Sequence, residues 1–321
     1  MTLRIGVLDD YQGVALVLAD WDRAGWEVTV FRDTLTGPAL AERLRPFHVL
    51  CLMRERTPMP AELIATLPEL RLIVTTGGRN LSIDIAAARA RGIPVCGTRS
   101  HAPATAQHAM GLILAANRGL VAEALSMRSG GWQQGLGRDL HGLTLGLLGL
   151  GRLGSAVADL ARPFGMRLIA WSENLTEARC AELGVERASS LAALLAEADT
   201  VSVHLVLSER THGVLGAAAL AAMKADAVLV NTSRGPILDW QALLDGLRAG
   251  RPAIAAIDVY DDEPLPADHP LRDRALIDAG RLILTPHIGY VARQTYRIFY
   301  EDTVEAIDAW AQGMPIRELT P

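Results

Sequence analysis

The chain has 321 residues, half of them hydrophobic, with a formal net charge of −5 and a pI near 5.9. That length suits about two ordinary domains with buried cores, and the acidic balance argues against nucleic acid or an anionic membrane as a partner. Three scattered cysteines without C-x-x-C spacing argue against a disulfide framework and a zinc site, so no metal and a reducing, cytoplasmic setting are expected.

The N-terminus, MTLRIGVLDDYQG, lacks the apolar run of a signal peptide. RIGVLD (Arg4 to Asp9) reads as a strand, as do HVLCLM (His48 to Met53), RLIVTT (Arg71 to Thr76) and the shorter IPVC (Ile93 to Cys96), whose Pro94 marks a strand start or an edge. Helices are expected over ALAERL and IDIAAARARG. One long helix is predicted from Thr105 to Arg128, ending at Gly130 and Gly131. After Gly142 the alternation restarts: LTLGLLG, MRLIAW, TVSVHLV, AVLVNT, AIAAIDV and LILTPH read as buried strands. An amphipathic helix, about Ala292 to Gln312, closes the chain.

Short apolar strands alternating with Ala/Leu-rich helices predict an α/β protein built from two parallel, doubly wound runs. The closing helix follows the last strand of the second run and is expected to return to the first. That reading makes residues 1–99 with 288–321 one discontinuous domain and residues 100–287 the other.

GLGRLG, Gly149 to Gly154, follows an apolar strand and opens a helix. In that context the glycines fit a dinucleotide turn: Gly149 for the tight bend, Gly151 for approach of a pyrophosphate, Gly154 for close helix packing. The usual ribose ligand is an acid at the end of the next strand, but MRLIAWSENL places Ser172 there, with Glu173 after it. Glu173 on a ribose hydroxyl favours NAD; Ser172 with Asn174, Thr176 and Arg179 around a 2′-phosphate favours NADP. A carboxylate repels a phosphate, which tilts the expectation to NAD.

Three later loops each carry an ionisable residue just after a predicted strand: Arg234 in NTSRGPILD, Asp258 and Glu263 in DVYDDEPLP, His287 in LTPHIG. The carboxyl ends of strands are where ligands bind in a doubly wound sheet.

These segments, in this order and with GLGRLG upstream, resemble the D-isomer-specific 2-hydroxyacid dehydrogenases, and MRERTP, TTGGRNLSID and HLVLSERTHGVLG extend the resemblance over nearly the whole chain. It implies two Rossmann-like domains, for substrate and for NAD(P), with the active site in the cleft between them. It implies that His287 is the general acid/base, that Glu263 tunes its pKa, and that Arg234 binds and polarises a small 2-oxo or 2-hydroxy acid. Asp258 would hold the nicotinamide amide or its ribose. Thr232, Ser233, Gly289 and the amides of Arg152 and Leu153 would line the cofactor, and the N–H groups of Gly77 and Gly78 would bind the substrate carboxylate. A homodimer built on the long helix is a further implication, with Trp132 at its interface. A nucleotide-sensing corepressor and a formate or phosphite dehydrogenase share the fold and stay open as alternatives.

The sequence departs from the family pattern at Gln107, at Val206, and at Tyr290, where a small residue is usual; Tyr290 is therefore a candidate for shaping the substrate pocket. Arg54 or Arg56 is a candidate contact for a second anionic group, against the plainer reading of a surface ion pair. His108 and the other histidines lack the strand-end placement and partner of His287, and His204 reads as a residue inside a strand. Asp9 and Asp10 fit a turn or cap. No regulatory domain is expected after the closing helix.

Overall fold

The computed structural model of the chain describes residues 2–321. Residues up to 101 together with 292–321 form one compact unit, and residues 102–291 form a second.

The first unit is built on a parallel five-stranded sheet: β1 (Leu3–Val7), β2 (Trp26–Val30), β3 (Val49–Leu52), β4 (Leu72–Thr75) and β5 (Val95–Cys96), in the order β2-β1-β3-β4-β5. β3 and β4 are buried at every position, as strands covered by helices on both faces must be. β2, at the sheet edge, is only half-buried. Its short WEVTV run was not among the strands expected from sequence. The closing helix, Arg293–Ala311, belongs to this unit and buries Tyr296, Phe299 and Tyr300. Arg99 ties the two chain segments together: its backbone N–H and guanidinium donate to the buried carboxylate of Asp302 at 2.6–3.2 Å. Burial opposes charge on Asp302, but these bonds and Arg317 hold its carboxyl below the usual range.

The second unit holds a parallel seven-stranded sheet: β6 (Thr144–Leu148), β7 (Arg167–Trp171), β8 (Glu186–Arg187), β9 (Thr200–Val203), β10 (Val228–Asn231), β11 (Ile254–Ile257) and β12 (Leu282–Leu284). Its order, β12-β11-β10-β9-β6-β7-β8, reverses direction between β6 and β9. Successive side chains of one strand enter opposite core layers: Leu145 and Leu147 join one, Leu148 the other, and Val228 and Val230 sit opposite Leu229. β6 and β10 are therefore apolar on both faces, which is why the sequence shows continuous runs there rather than alternation.

The long helix expected over Thr105 to Arg128 is two helices, Ala102–Asn117 and Leu120–Arg128, bent by 67°. Gly119 separates them with φ +64°, a left-handed turn that a right-handed helix cannot pass through. β9 stops at Val203, so His204 lies just past the strand end rather than within it.

Candidate active site

The register of β6 with β9 pairs Leu148 with Val203, which sets Gly149 beside His204 at the switch point of the second sheet. Gly149 has φ +98°, and a Cβ there would lie 2.9 Å from the His204 carbonyl oxygen. A Cβ on Gly154 would meet the Gly149 oxygen at 2.1 Å, so the helix Arg152–Ala161 can lie this close only with glycine. A Cβ on Gly151 would meet nothing within 4 Å. The turn thus presents open space at the N-terminus of a ten-residue helix, where free N–H groups and the helix dipole favour a phosphate. The His204 ring meets Ser202 Oγ at 2.9 Å, and burial lowers its pKa to about 4. It is neutral at working pH and shapes the wall of the turn.

These contacts separate two glycine roles. Gly154→Ala should cost ~1–3 kcal/mol of stability by overpacking, read as a lower Tm. Gly151→Val, on extended backbone with free space, should keep the wild-type Tm yet weaken dinucleotide binding at least about tenfold, read by NADH fluorescence titration. Equal losses of stability in both variants would contradict this division.

Beyond β7, Ser172 is half-buried and Glu173 is exposed. The Glu173 carboxylate pairs with Arg210 at 2.8 Å, both side chains 63% exposed. Arg179 reaches Ser155 Oγ at 3.5 Å, above the first turn of the phosphate-side helix.

After β10 the buried Asn231 side chain organises a turn, accepting from Ser233 N–H and donating to the Arg234 carbonyl, each at 3.0 Å. Gly235 follows, packed so closely that a Cβ would fall 2.2 Å from the Tyr260 carbonyl carbon. The Arg234 turn therefore lies against the segment leading to Glu263. Beside it Thr232 is 6% exposed, and its hydroxyl has no hydrogen-bond partner within the protein. A buried hydroxyl without a partner is a reason to expect a polar ligand.

Glu263 and His287 meet directly, with Nδ1 2.5 Å from Oε2. Tyr260 positions both: its N–H donates to Glu263 Oε1 at 2.9 Å, and its phenol donates to the carbonyl oxygens of Ile257 and Thr285. Tyr260 lies within DVYDDEPLP but was not singled out from sequence, because it acts through its own amide and through carbonyls that residue type does not mark. Asp261 and Asp262 are exposed, as expected of a solvated loop. His287 has φ +51°, a left-handed conformation that costs a non-glycine residue of order 1 kcal/mol and persists only where its surroundings enforce it. The Tyr290 ring meets the imidazole edge-on, with centroids 5.3 Å apart.

Asp258 enforces the turn. It is 1% exposed; Oδ1 accepts from Ile288 N–H at 2.9 Å and Thr285 Oγ1 at 2.5 Å, and Oδ2 from Gly289 N–H at 2.9 Å. His108 Nε2 lies 3.2 Å from Oδ1. Burial opposes the charge, but the bonds from His108 and Thr285 hold the carboxyl below its ordinary pKa. His108, set aside in the sequence reading, has a partner after all. The signal was absent because 150 residues separate His108 from Asp258 in the chain.

The first unit carries Arg54, Gly77 and Gly78. Its sheet has a switch point of its own, between β1 and β3, where the following loops diverge. Both loops hold a non-glycine residue at positive φ: Asp9 at +56° and Arg54 at +55°. Asp9 accepts the hydroxyls of Thr34 and Thr57 at 2.6 Å, and Asp10 accepts Ala15 N–H at 2.9 Å, in turn and cap roles. Arg56 donates to the Asp9 carbonyl at 2.7 Å and stacks 4.4 Å from the Tyr11 ring centroid. Arg54 Nη1 reaches the Thr76 carbonyl at 3.3 Å. Gly77, at φ +91°, already donates its N–H to Thr98 Oγ1 at 2.7 Å, so a carboxylate cradle here falls to the exposed Gly78.

Among the described residues no cluster of His, Cys, Asp and Glu could hold a metal ion, and no single helix is long and apolar enough to cross a membrane. The open Gly151 turn, the helix N-terminus behind it and the partnerless Thr232 hydroxyl fit a dinucleotide, and the second unit defines a nucleotide-binding α/β protein. Residues 110–289 match the model of the D-isomer specific 2-hydroxyacid dehydrogenase NAD binding domain, and the chain belongs to that family. It is 36% identical to the glyoxylate reductase of Korarchaeum cryptofilum over 80% of this chain and 77% of that one. It is 36% identical to the D-3-phosphoglycerate dehydrogenase of Mycobacterium tuberculosis over 74% of this chain, but spans only 44% of that enzyme's length. The solved phosphoglycerate oxidoreductase of Vibrio cholerae superposes with a TM-score of 0.89 at 36% identity, covering 97% of this chain and 100% of that one.

Proposed function

We propose that the chain reduces a small 2-oxo acid to the D-2-hydroxy acid, or runs the reverse oxidation, with NAD as the preferred cofactor. The observation that carries this reading is the His287–Glu263 pair at the end of β12, in the same unit as the dinucleotide turn. A bound nicotinamide supplies or accepts the hydride at C2. Glu263 accepts the Nδ1 proton of His287 and so fixes the tautomer, leaving Nε2 to exchange a proton with the C2 oxygen. In reduction His287 donates that proton; in oxidation it removes it. Arg234 grips the substrate carboxylate and polarises the carbonyl with a planar, permanently charged fork. Asp258 holds the turn through the Ile288 and Gly289 N–H groups and, with Gly289, would hold the nicotinamide amide or its ribose. Within the first unit the exposed Gly78 N–H is the candidate donor to a carboxylate, and Arg54 bonds the nearby Thr76 carbonyl.

The carboxylate of Glu173 just past β7 supports NAD over a 2′-phosphate; to reach the ribose hydroxyls it must leave or share Arg210. The name of the Korarchaeum relative supports a substrate as small as glyoxylate. Exposed Leu120, Met127, Trp132 and Leu136 support a homodimer through residues 120–136. Oxidation of NADH and of NADPH with glyoxylate, hydroxypyruvate and phenylpyruvate tests the reading. Turnover of at least one 2-oxo acid, faster with NADH, is expected. Tight cofactor binding with no turnover of any of them would overturn the dehydrogenase reading, and a preference for NADPH would overturn the role of Glu173.

A further inference from the structure

His108 sits on the helix Ala102–Asn117, with Nε2 3.2 Å from Asp258 Oδ1 and 3.3 Å from Thr285 Oγ1. The donor inventory decides what that nitrogen carries. The Thr285 hydroxyl has one hydrogen, and it lies 2.5 Å from Asp258 Oδ1, an ionised acceptor. Facing His108, Thr285 and Asp258 therefore both offer lone pairs only. Nε2 must bear a hydrogen and serve both oxygens.

The carboxylate it holds is unevenly loaded. Among the described residues Oδ1 takes His108, Thr285 and the Ile288 N–H, while Oδ2 takes the Gly289 N–H. Turning the carboxylate plane away from this orientation would break its bonds from the Ile288 and Gly289 N–H groups and release the turn. That turn keeps His287 at φ +51°, a conformation local preference does not supply. Gly289 is enclosed by the same groups: a Cβ there would lie 3.1 Å from Asp258 Oδ2, 3.3 Å from Thr105 Cγ2 and 3.7 Å from His108 Cδ2. His108 thus closes the far side of the polar cage that Asp258 and Thr285 form around the turn.

We propose that His108 is a positioning residue for His287: by donating to Asp258 it locks the carboxylate that holds the Ile288–Gly289 turn, and so fixes the imidazole against Glu263. The inference rests on the reading of His287 as the acid/base. The test uses the full chain with His108→Leu, which keeps bulk without a donor, and His108→Gln, whose Nε2 can replace that of the imidazole. His108→Asn, too short to reach Asp258, stands in if the Leu variant does not fold. Two readouts are taken: kcat with the best 2-oxo acid, and the side-chain 15N signals of His287, assigned by comparison with His287→Gln.

In His108→Leu, kcat should fall at least about tenfold, the scale of a modestly misplaced catalytic group, and the Nδ1-protonated His287 signal should broaden or shift toward mixed tautomers. His108→Gln should restore both. Wild-type kcat and an unchanged His287 signal in the Leu variant would overturn the proposal, as would a Gln variant no better than Leu at equal Tm. The nitrogen signals report without turnover. A chain inactive on every 2-oxo acid would defeat the dehydrogenase reading while leaving the His108 lock decidable.

Discussion

Replacing His287 with Ala is expected to lower turnover by at least about 100-fold, the usual scale for losing a general acid/base, while dinucleotide binding stays near wild type. The two effects separate because the residues differ in place. The dinucleotide turn at Gly149 and the His287 turn belong to different strands, β6 and β12, at opposite sides of the switch point. Ala lacks the imidazole that meets Glu263 at 2.5 Å, so no proton can pass to the C2 oxygen by this route. The backbone consequence is small but real: Ala accepts φ +51° less readily than His, so the Tm should be checked beside kcat. Near-normal turnover in a folded His287→Ala protein would remove His287 from the mechanism.

Arg234→Ala should cost a similar factor, at least about 100-fold in kcat/KM, because in the proposed role it removes the charged donor to the substrate carboxylate. Arg234→Lys is the informative companion. It keeps the charge but loses the fork that grips a carboxylate at two points, so it should recover only part of the loss. The turn itself should survive both changes. Asn231 holds it through Ser233 N–H and the Arg234 carbonyl, bonds that remain when the guanidinium's own bond to the Ser233 carbonyl, 2.8 Å, is lost. If Lys restored full activity, Arg234 would act as a simple charge; if Ala were harmless, it would not touch substrate at all. Steady-state kinetics with a 2-oxo acid, alongside NADH fluorescence titration, distinguishes these results.

The parts of this candidate site that were legible in the sequence share one property: they are marked by residue type at a short, local spacing. GLGRLG is readable because each glycine answers a backbone requirement within six residues, and the structure shows those requirements as a positive φ at Gly149 and a close approach at Gly154. His287, Arg234 and Glu263 are readable because each follows an apolar run recognisable as a strand. The residues that position them were not. Tyr260 acts through its amide and a phenol that bonds two carbonyls, and His108 acts on Asp258 from a distant helix. Arg56 read as a surface ion pair or a substrate contact, and the structure shows it bound to the Asp9 carbonyl and stacked on Tyr11.

The amino-acid sequence by itself determined the class of fold, two runs of buried parallel strands, because a strand covered on both faces must be apolar throughout. It also determined the chemistry on offer: an imidazole, a carboxylate and a guanidinium at strand ends, and a glycine turn. Only the tertiary structure decided how that chemistry is held. The break at Gly119, the end of β9 before His204, and the cage of His108, Thr285 and Asp258 around the His287 turn all depend on contacts between distant segments. A left-handed histidine has no signature in sequence, because its strain is sustained by neighbours that the chain brings together only when it folds.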